Sequence, residues 1–226
     1  MFIPLKDETP SRTFPFINIL LILTNIAVFV YQLTLGPRAY KAFVLADATI
    51  PSRISAFLSG HAGFETAFLP LVTSMFLHGG LLHIAGNMLF LWIFGDNVED
   101  YFGHLPYLLF YLFCGVGSGL LHVAFNWGST IPALGASGAI SGVMGAYLML
   151  FPRERILTLV FIFIVPIPAV FILVYWFVIQ FAEAVTTVGS SALPQNGGVA
   201  VWAHVGGFLL GMLITGLARS AGGSKR

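Results

Sequence analysis

Phe16 to Leu35 pass without a charged residue. About 20 apolar residues are what an α-helix needs to cross the hydrocarbon core of a bilayer. The stretch is too long for the apolar core of a signal peptide, and no small-residue cleavage pattern follows it closely, so it reads as a retained first span. Composition agrees. Only 8% of the 226 residues are charged and 58% are hydrophobic, whereas a soluble domain carries about 25% charged residues. Mean hydropathy is +0.92. A net charge of +1 gives no basic field for nucleic acid. A single cysteine, Cys114, cannot form an internal disulfide.

The rest of the chain divides into five further apolar stretches. A long connection, Gly36 to Gly80, is too polar to span and too apolar to be a free linker, so short interfacial helices are expected there. The second span starts near Leu81, is clean to Phe94 and runs on through Asp96 and Glu99. The third covers His104 to Phe125. A Gly- and Pro-containing loop leads to a short fourth span from Ser137 to just before Pro152. Ile156 to Val165 reads as interfacial or as a helix extension, interrupted by Pro166 and Pro168. The fifth span is Ala169 to Thr186 and the sixth Val199 to Leu217. The expected architecture is all-α: a polytopic bundle of six transmembrane helices over residues 16–218, with a 1–15 segment before it, a 219–226 tail after it, and no repeat or second domain.

Lys and Arg positions set orientation. With an inside N-terminus, Lys6, Arg12, Arg153, Arg155, Arg219, Lys225 and Arg226 lie inside, and Arg38, Lys41 and Arg53 outside. Seven against three favours two cytoplasmic termini. The minimal size and the lack of a transit peptide point to a bacterial inner membrane.

Polar residues inside spans are costly and mark candidate sites. Gly135-Ala136-Ser137-Gly138 opens the fourth span. The first N–H groups of a helix have no partner within it and can face a developing negative charge. Glycines beside the serine allow a substrate backbone to approach. Helix capping and small-residue packing would explain the same four residues. His204 supplies what a serine hydroxyl lacks, a base for its proton. Gly207 and Gly211 lie on the face of His204. Ser141 and Gly145 share the face of Ser137, with Gly138 and Gly142 as a neighbouring small stripe. The two helices can therefore approach closely and bring Ser137 and His204 together. His83 and Asn87, at i and i+4, share one face of the second span. They are donors for an oxyanion hole or a polar pair joining helices.

His78 and His204 raise a metal reading, but zinc sites combine three or four ligands, and neither H-E-x-x-H nor a nearby cysteine is present. No metal is expected. The G-x-G-D arrangement of an aspartyl intramembrane protease is also missing. Glu183, in the fifth span, fits an outer interface position, with a role near a substrate gate as the sharper alternative.

Taken together, His83-x-x-x-Asn87, Gly135-Ala136-Ser137-Gly138 and Ala203-His204-x-x-Gly207-x-x-x-Gly211 resemble the rhomboid family of intramembrane serine proteases. Gly95-x-x-x-Glu99-x-x-x-Gly103 extends the resemblance, which covers roughly Leu69 to Gly216. It implies a six-helix fold and peptide-bond hydrolysis without metal or cofactor. Ser137 is then the nucleophile and His204 the general base and acid. The Ser137 N–H, His83 and Asn87 form the oxyanion hole, and His78 stands near an outer water-filled opening. Substrates would be single-span membrane proteins, cut near a helix end within the lipid bilayer. Tyr175, Trp176, Phe177 and Phe181, with the Gly189–Gly198 loop, are the expected gate and cap. Many relatives carry a tyrosine four residues after the nucleophile, stacked on the histidine. Ser141 stands there, so His204 is expected to be oriented by packing. The rival readings are a non-catalytic rhomboid relative that binds membrane clients and a small-solute channel or transporter, which would show inverted repeats.

Overall fold

In hydrocarbon every backbone N–H and C=O has to bond within the protein, so apolar runs become helices. A computed structural model describes residues 2–187 and 200–221. Strand β1 (Phe2–Asp7) precedes helix α1 (Phe16–Thr34). The long connection forms α2 (Pro37–Asp47), α3 (Pro51–Leu58), α4 (Phe64–Phe68), α5 (Pro70–Thr73) and a 3₁₀ turn at Ser74–Phe76. Then come α6 (Leu81–Phe102), α7 (His104–Phe125), α8 (Ser137–Leu150), β2 (Arg155–Val160), β3 (Phe163–Pro168), α9 (Ala169–Thr187) and α10 (Val201–Ala221). Among the described residues, α1, α6, α7, α9 and α10 are long and apolar enough to cross a membrane. Together with α8 they give the helical, polytopic bundle that the sequence predicts.

Helix α8 occupies the middle. Every residue from Gly138 to Tyr147 is buried, and α6, α7, α9 and α10 all pack on it. Its 14 residues rise about 21 Å, less than the roughly 30 Å of hydrocarbon. The tightest seam is between α8 and α10. A Cβ on Gly207 would fall 2.0 Å from the Gly138 carbonyl oxygen, and one on Gly211 2.0 Å from that of Gly142. From the other side, a Cβ on Gly145 would lie 2.2 Å from the Phe208 oxygen. The two backbones touch because no side chain stands between them.

The Gly95-x-x-x-Glu99-x-x-x-Gly103 motif joins α6 to α1. Glu99 is fully buried. Its carboxylate accepts the Ile17 N–H at 2.9 Å and the Asn18 N–H at 2.7 Å, two groups that α1 cannot satisfy internally. His104 adds a contact at 2.5 Å. Gly95 leaves room for Asn18, whose Oδ1 would be 2.0 Å from a Cβ there. Asn18 Nδ2 donates to the Leu91 carbonyl at 3.0 Å, and the Tyr107 hydroxyl donates to Asn18 Oδ1 at 2.9 Å.

One segment departs from the expectation. Arg155–Pro168, which contains the Ile156–Val165 stretch, is not a helix extension. It forms a β-hairpin, β2–β3, which joins β1 in an antiparallel sheet of order β1-β2-β3. Ile156 and Thr158 of β2 turn inward, and their neighbours do not. Pro166 and Pro168 fall on β3 and Pro4 on β1, both edge strands, where a missing N–H costs no ladder bond. The sheet is tied down at Asp7, whose Oδ2 accepts from Asn97 Nδ2 at 2.8 Å and from the Tyr147 hydroxyl at 3.0 Å. Those bonds link the first strand to α6 and α8.

Two substitutions test this frame by thermal unfolding in detergent. Glu99→Ala leaves two buried N–H groups without an acceptor and should lower stability by about 2–5 kcal/mol. Gly211→Ala forces α8 and α10 apart and should cost about 1–3 kcal/mol, although it lies two helical turns from His204.

Candidate active site

The loop before α8 is pinned to the first connection. Thr49 and Ala133 exchange backbone hydrogen bonds at 3.0 and 2.8 Å, and the Gly135 N–H donates to the Ser74 carbonyl at 2.9 Å. Gly135 has φ +123°, a region open to glycine, and a Cβ there would sit 2.7 Å from His83 Nε2. Both facts require glycine, and together they set Ser137 at the first position of α8 beside His83.

The α8–α10 seam brings Ser137 and His204 together. The Ser137 hydroxyl and His204 Nε2 are 2.7 Å apart. His204 is buried. Its other ring nitrogen, Nδ1, meets Oε1 of Gln180 on α9. An amide oxygen only accepts, so the ring proton is on Nδ1 and Nε2 is free to accept from the serine. The amide's own direction follows from its far side, where Gln180 Nε2 donates to Glu183 Oε2 at 3.3 Å. Trp176, one turn before Gln180, stands with its ring 5.8 Å from that of His204. The expectation that packing alone orients His204 is therefore corrected: a hydrogen bond from α9 does so, beside a tryptophan. Ser141 also lines the cavity, and its hydroxyl donates to the Ser137 carbonyl at 2.6 Å.

His83 Nδ1 accepts the Gly79 N–H at 3.3 Å, which leaves its Nε2 as a donor. Asn87 Nδ2 is buried and has no partner among the described residues. His83, Asn87, Ser137 and His204 line one cavity of about 840 Å³, with Phe90 of α6 and Trp176 of α9 among its walls. Gly138, Gly207 and Gly211 stay in the seam behind it. His78 does not line that cavity. It is buried, its ring 5.2 Å from that of His83 and edge-on to it, and its backbone is held by Gln32 at 3.0 and 3.1 Å. Burial, then the neighbouring His83, pushes its pKa down to about 4, so the ring is neutral at pH 7. His78 was expected near an outer water-filled opening; its ring stands behind His83, which lines the cavity. The Gly189–Gly198 loop lies outside the described residues.

Gln180 is the residue that sequence reasoning missed. The available signal was a polar side chain inside an apolar span, four positions after Trp176 and so on its face.

Comparison with known proteins places the chain in a family. The Rhomboid domain model matches residues 65–221. The chain is similar to Rhomboid protein 1, mitochondrial, of Saccharomyces cerevisiae (29% identity over 154 residues, 66% of this chain and 42% of that one). It is also similar to Presenilin-associated rhomboid-like protein A, mitochondrial, of Danio rerio (29% over 192 residues, 80% and 46%). With Rhomboid protease GluP of Bacillus subtilis it shares 40% identity over 85 residues, 38% of this chain and 16% of that one. The chain spans less than half the length of these relatives. With more than half of its residues matched by the domain model, this multi-pass membrane protein belongs to the rhomboid family.

Proposed function

We propose that the chain is an intramembrane serine endopeptidase that cuts single-span membrane proteins near the outer membrane face through a Ser137–His204 dyad. The observation that carries the reading is the 2.7 Å contact between the Ser137 hydroxyl and the unprotonated Nε2 of His204, made inside an open cavity. GluP, matched over part of its length, is named a protease, which supports the same chemistry.

The geometry supports the following reaction. His204 Nε2 takes the hydroxyl proton while Ser137 Oγ attacks the carbonyl carbon of the peptide bond, and the carbonyl oxygen becomes an oxyanion. The Ser137 N–H, His83 Nε2–H and Asn87 Nδ2 are the donors that would meet it. Collapse of the intermediate breaks the C–N bond, and the Nε2 proton goes to the leaving amine. A water then attacks the acyl ester, giving its proton to Nε2, which returns it to Ser137 Oγ as the carboxylic acid leaves. No metal or cofactor takes part in these steps. A second hollow of about 40 Å³ reaches Ser137 from the side of Ser74, Ser118 and His122, a polar lining suited to a water.

A substrate helix has to reach the cavity sideways from lipid, between α6 and α9. Helix α9 packs on α10 and on α8, and its outer face is largely exposed. It is therefore the proposed gate. Glu183 is exposed on that helix, and its carboxylate is engaged with Gln180. The bacterial plasma membrane is the proposed location, with both termini on its cytoplasmic side, on the strength of the Lys and Arg bias.

A fluorophosphonate probe should label the wild type and leave Ser137→Ala unlabelled; equal labelling of both would overturn the reading. His204→Ala should lose cleavage by at least about 10²–10⁴, and Asn87→Ala should fall by about 10²–10³ with a trace retained. A reducible disulfide joining α6 to α9 across the cavity mouth should block cleavage of a single-span test protein and leave probe labelling intact. Reduction should restore cleavage. Unchanged cleavage of the stapled protein would exclude the gate.

A further inference from the structure

A histidine can act as base toward Ser137 only in one of its two neutral tautomers, with the proton on Nδ1. Nothing on α8 or α10 enforces that choice. The partner of Nδ1 comes from α9, as Gln180 Oε1. An amide can rotate and present its NH₂ instead, which would favour the proton on Nε2 and turn the ring into a donor toward the serine. Glu183 biases the amide against that rotation. Its carboxylate has only acceptors to offer and holds the Gln180 NH₂ at 3.3 Å. The result is a directed chain, Glu183–Gln180–His204–Ser137, in which each link fixes the donor sense of the next.

The chain is anchored on the gate. Leu173, Trp176, Phe177, Gln180 and Ala184 form the inward face of α9 at helical spacing. Leu173 and Ala184 are fully buried, and the Phe177 ring lies 4.8 Å from that of Phe208 on α10. Outward movement of this face removes the Gln180 oxygen from Nδ1. Resting on the protease reading above, we infer that Gln180, held in orientation by Glu183, is a positioning residue that sets the His204 tautomer, and that His204 is a competent base only while α9 is seated. A substrate segment then passes the gate before the dyad is armed, and cleavage waits for closure.

The groups that can titrate around His204 among the described residues are His83 on α6 and His122 on α7, with Glu183 on α9 acting through Gln180. The test compares wild type, Gln180→Ala, Gln180→Leu, and Gln180→Glu combined with Glu183→Gln, all in detergent. Two assays follow the chemistry: the rate of labelling of Ser137 by a small soluble fluorophosphonate and kcat and KM on a single-span test protein. Ring ¹⁵N spectra of His204 follow the tautomer directly.

Gln180→Ala and Gln180→Leu should lower the labelling rate and kcat by about 10- to 100-fold with KM within about twofold. Their His204 spectra should show mixed tautomers in place of a proton on Nδ1. The paired variant puts a carboxylate directly on Nδ1, which favours the charged ring. The base works neutral, so activity is lost as pH falls through the His204 pKa, and a raised pKa moves that acid limb upward. The paired variant should recover most of the rate with its acid limb displaced by about one pH unit or more. A merely structural role would change stability and leave the limb in place.

Unchanged labelling, kcat and spectra in Gln180→Ala would overturn the proposal. If instead the wild type is not labelled at Ser137 but its spectra show Nδ1 protonation that Gln180→Ala removes, the protease reading fails and the positioning contact stands.

Discussion

The structure depends on two backbones touching. Where α10 crosses α8, the Gly138 and Gly142 carbonyl oxygens occupy the space that side chains at 207 and 211 would fill. Lipid tails are as apolar as leucine, so helices in a membrane gain little from burying apolar surface against one another, and close packing has to supply the attraction. The seam does this, and it also fixes a distance. Ser137 and His204 sit at the same end of it, and their 2.7 Å separation follows from helices too close to slide or tilt. A methyl group in the seam alters the chemistry's geometry without touching a reacting atom.

The second constraint is hydrogen-bond direction. In a site with few polar groups, each side chain is read by what its neighbour can offer. The Gly79 N–H makes His83 Nδ1 an acceptor and so its Nε2 a donor. Oε1 of Gln180 makes His204 Nδ1 a donor and so its Nε2 an acceptor. The two histidines line the same cavity in opposite tautomers, one arranged to stabilise negative charge and the other to take a proton. The assignment comes from partners outside the pair, on a loop and on a different helix.

Much of this was legible in the sequence. The spans starting at Phe16, Leu81, His104 and Ala169 show sharp composition changes, and the helices start there. The paired small residues on α8 and α10 were legible because helical spacing alone puts them on one face with Ser137 and His204. The β-hairpin was not. Ile156 to Val165 is apolar on both faces, so period-2 alternation is hidden, and the pairing with Phe2–Asp7 is a contact across more than 140 residues that no local pattern announces. Gln180 was obscured for another reason. Asn18, Asn25 and Gln32 also lie buried in an apolar span, so an amide in a helix does not by itself separate a structural polar contact from one that serves a site. The packing of His78 behind His83 was not legible, because a sequence position near a helix end says nothing about which neighbour covers the ring.

Asn87 shows how such a bundle can hold a group in reserve. Its buried Nδ2 has no partner among the described residues, and leaving a buried donor unmet costs about 1–3 kcal/mol. Asn18 and Gln32 do not carry that cost, since they both donate and accept, to Leu91, Tyr107 and His78, whereas Asn25 Oδ1, the His78 ring and the Tyr111 and Thr215 hydroxyls are buried and, among the described residues, unpartnered as well. What sets Asn87 apart is that it faces the cavity wall shared with Ser137 and His83. A donor kept free there gains most when negative charge develops in front of it. Interactions stronger in a transition state than in the resting enzyme are the ones that accelerate a reaction. The same frame that spends its glycines on closeness at the seam therefore leaves one amide unpaired at the cavity, and both choices serve the same hydroxyl.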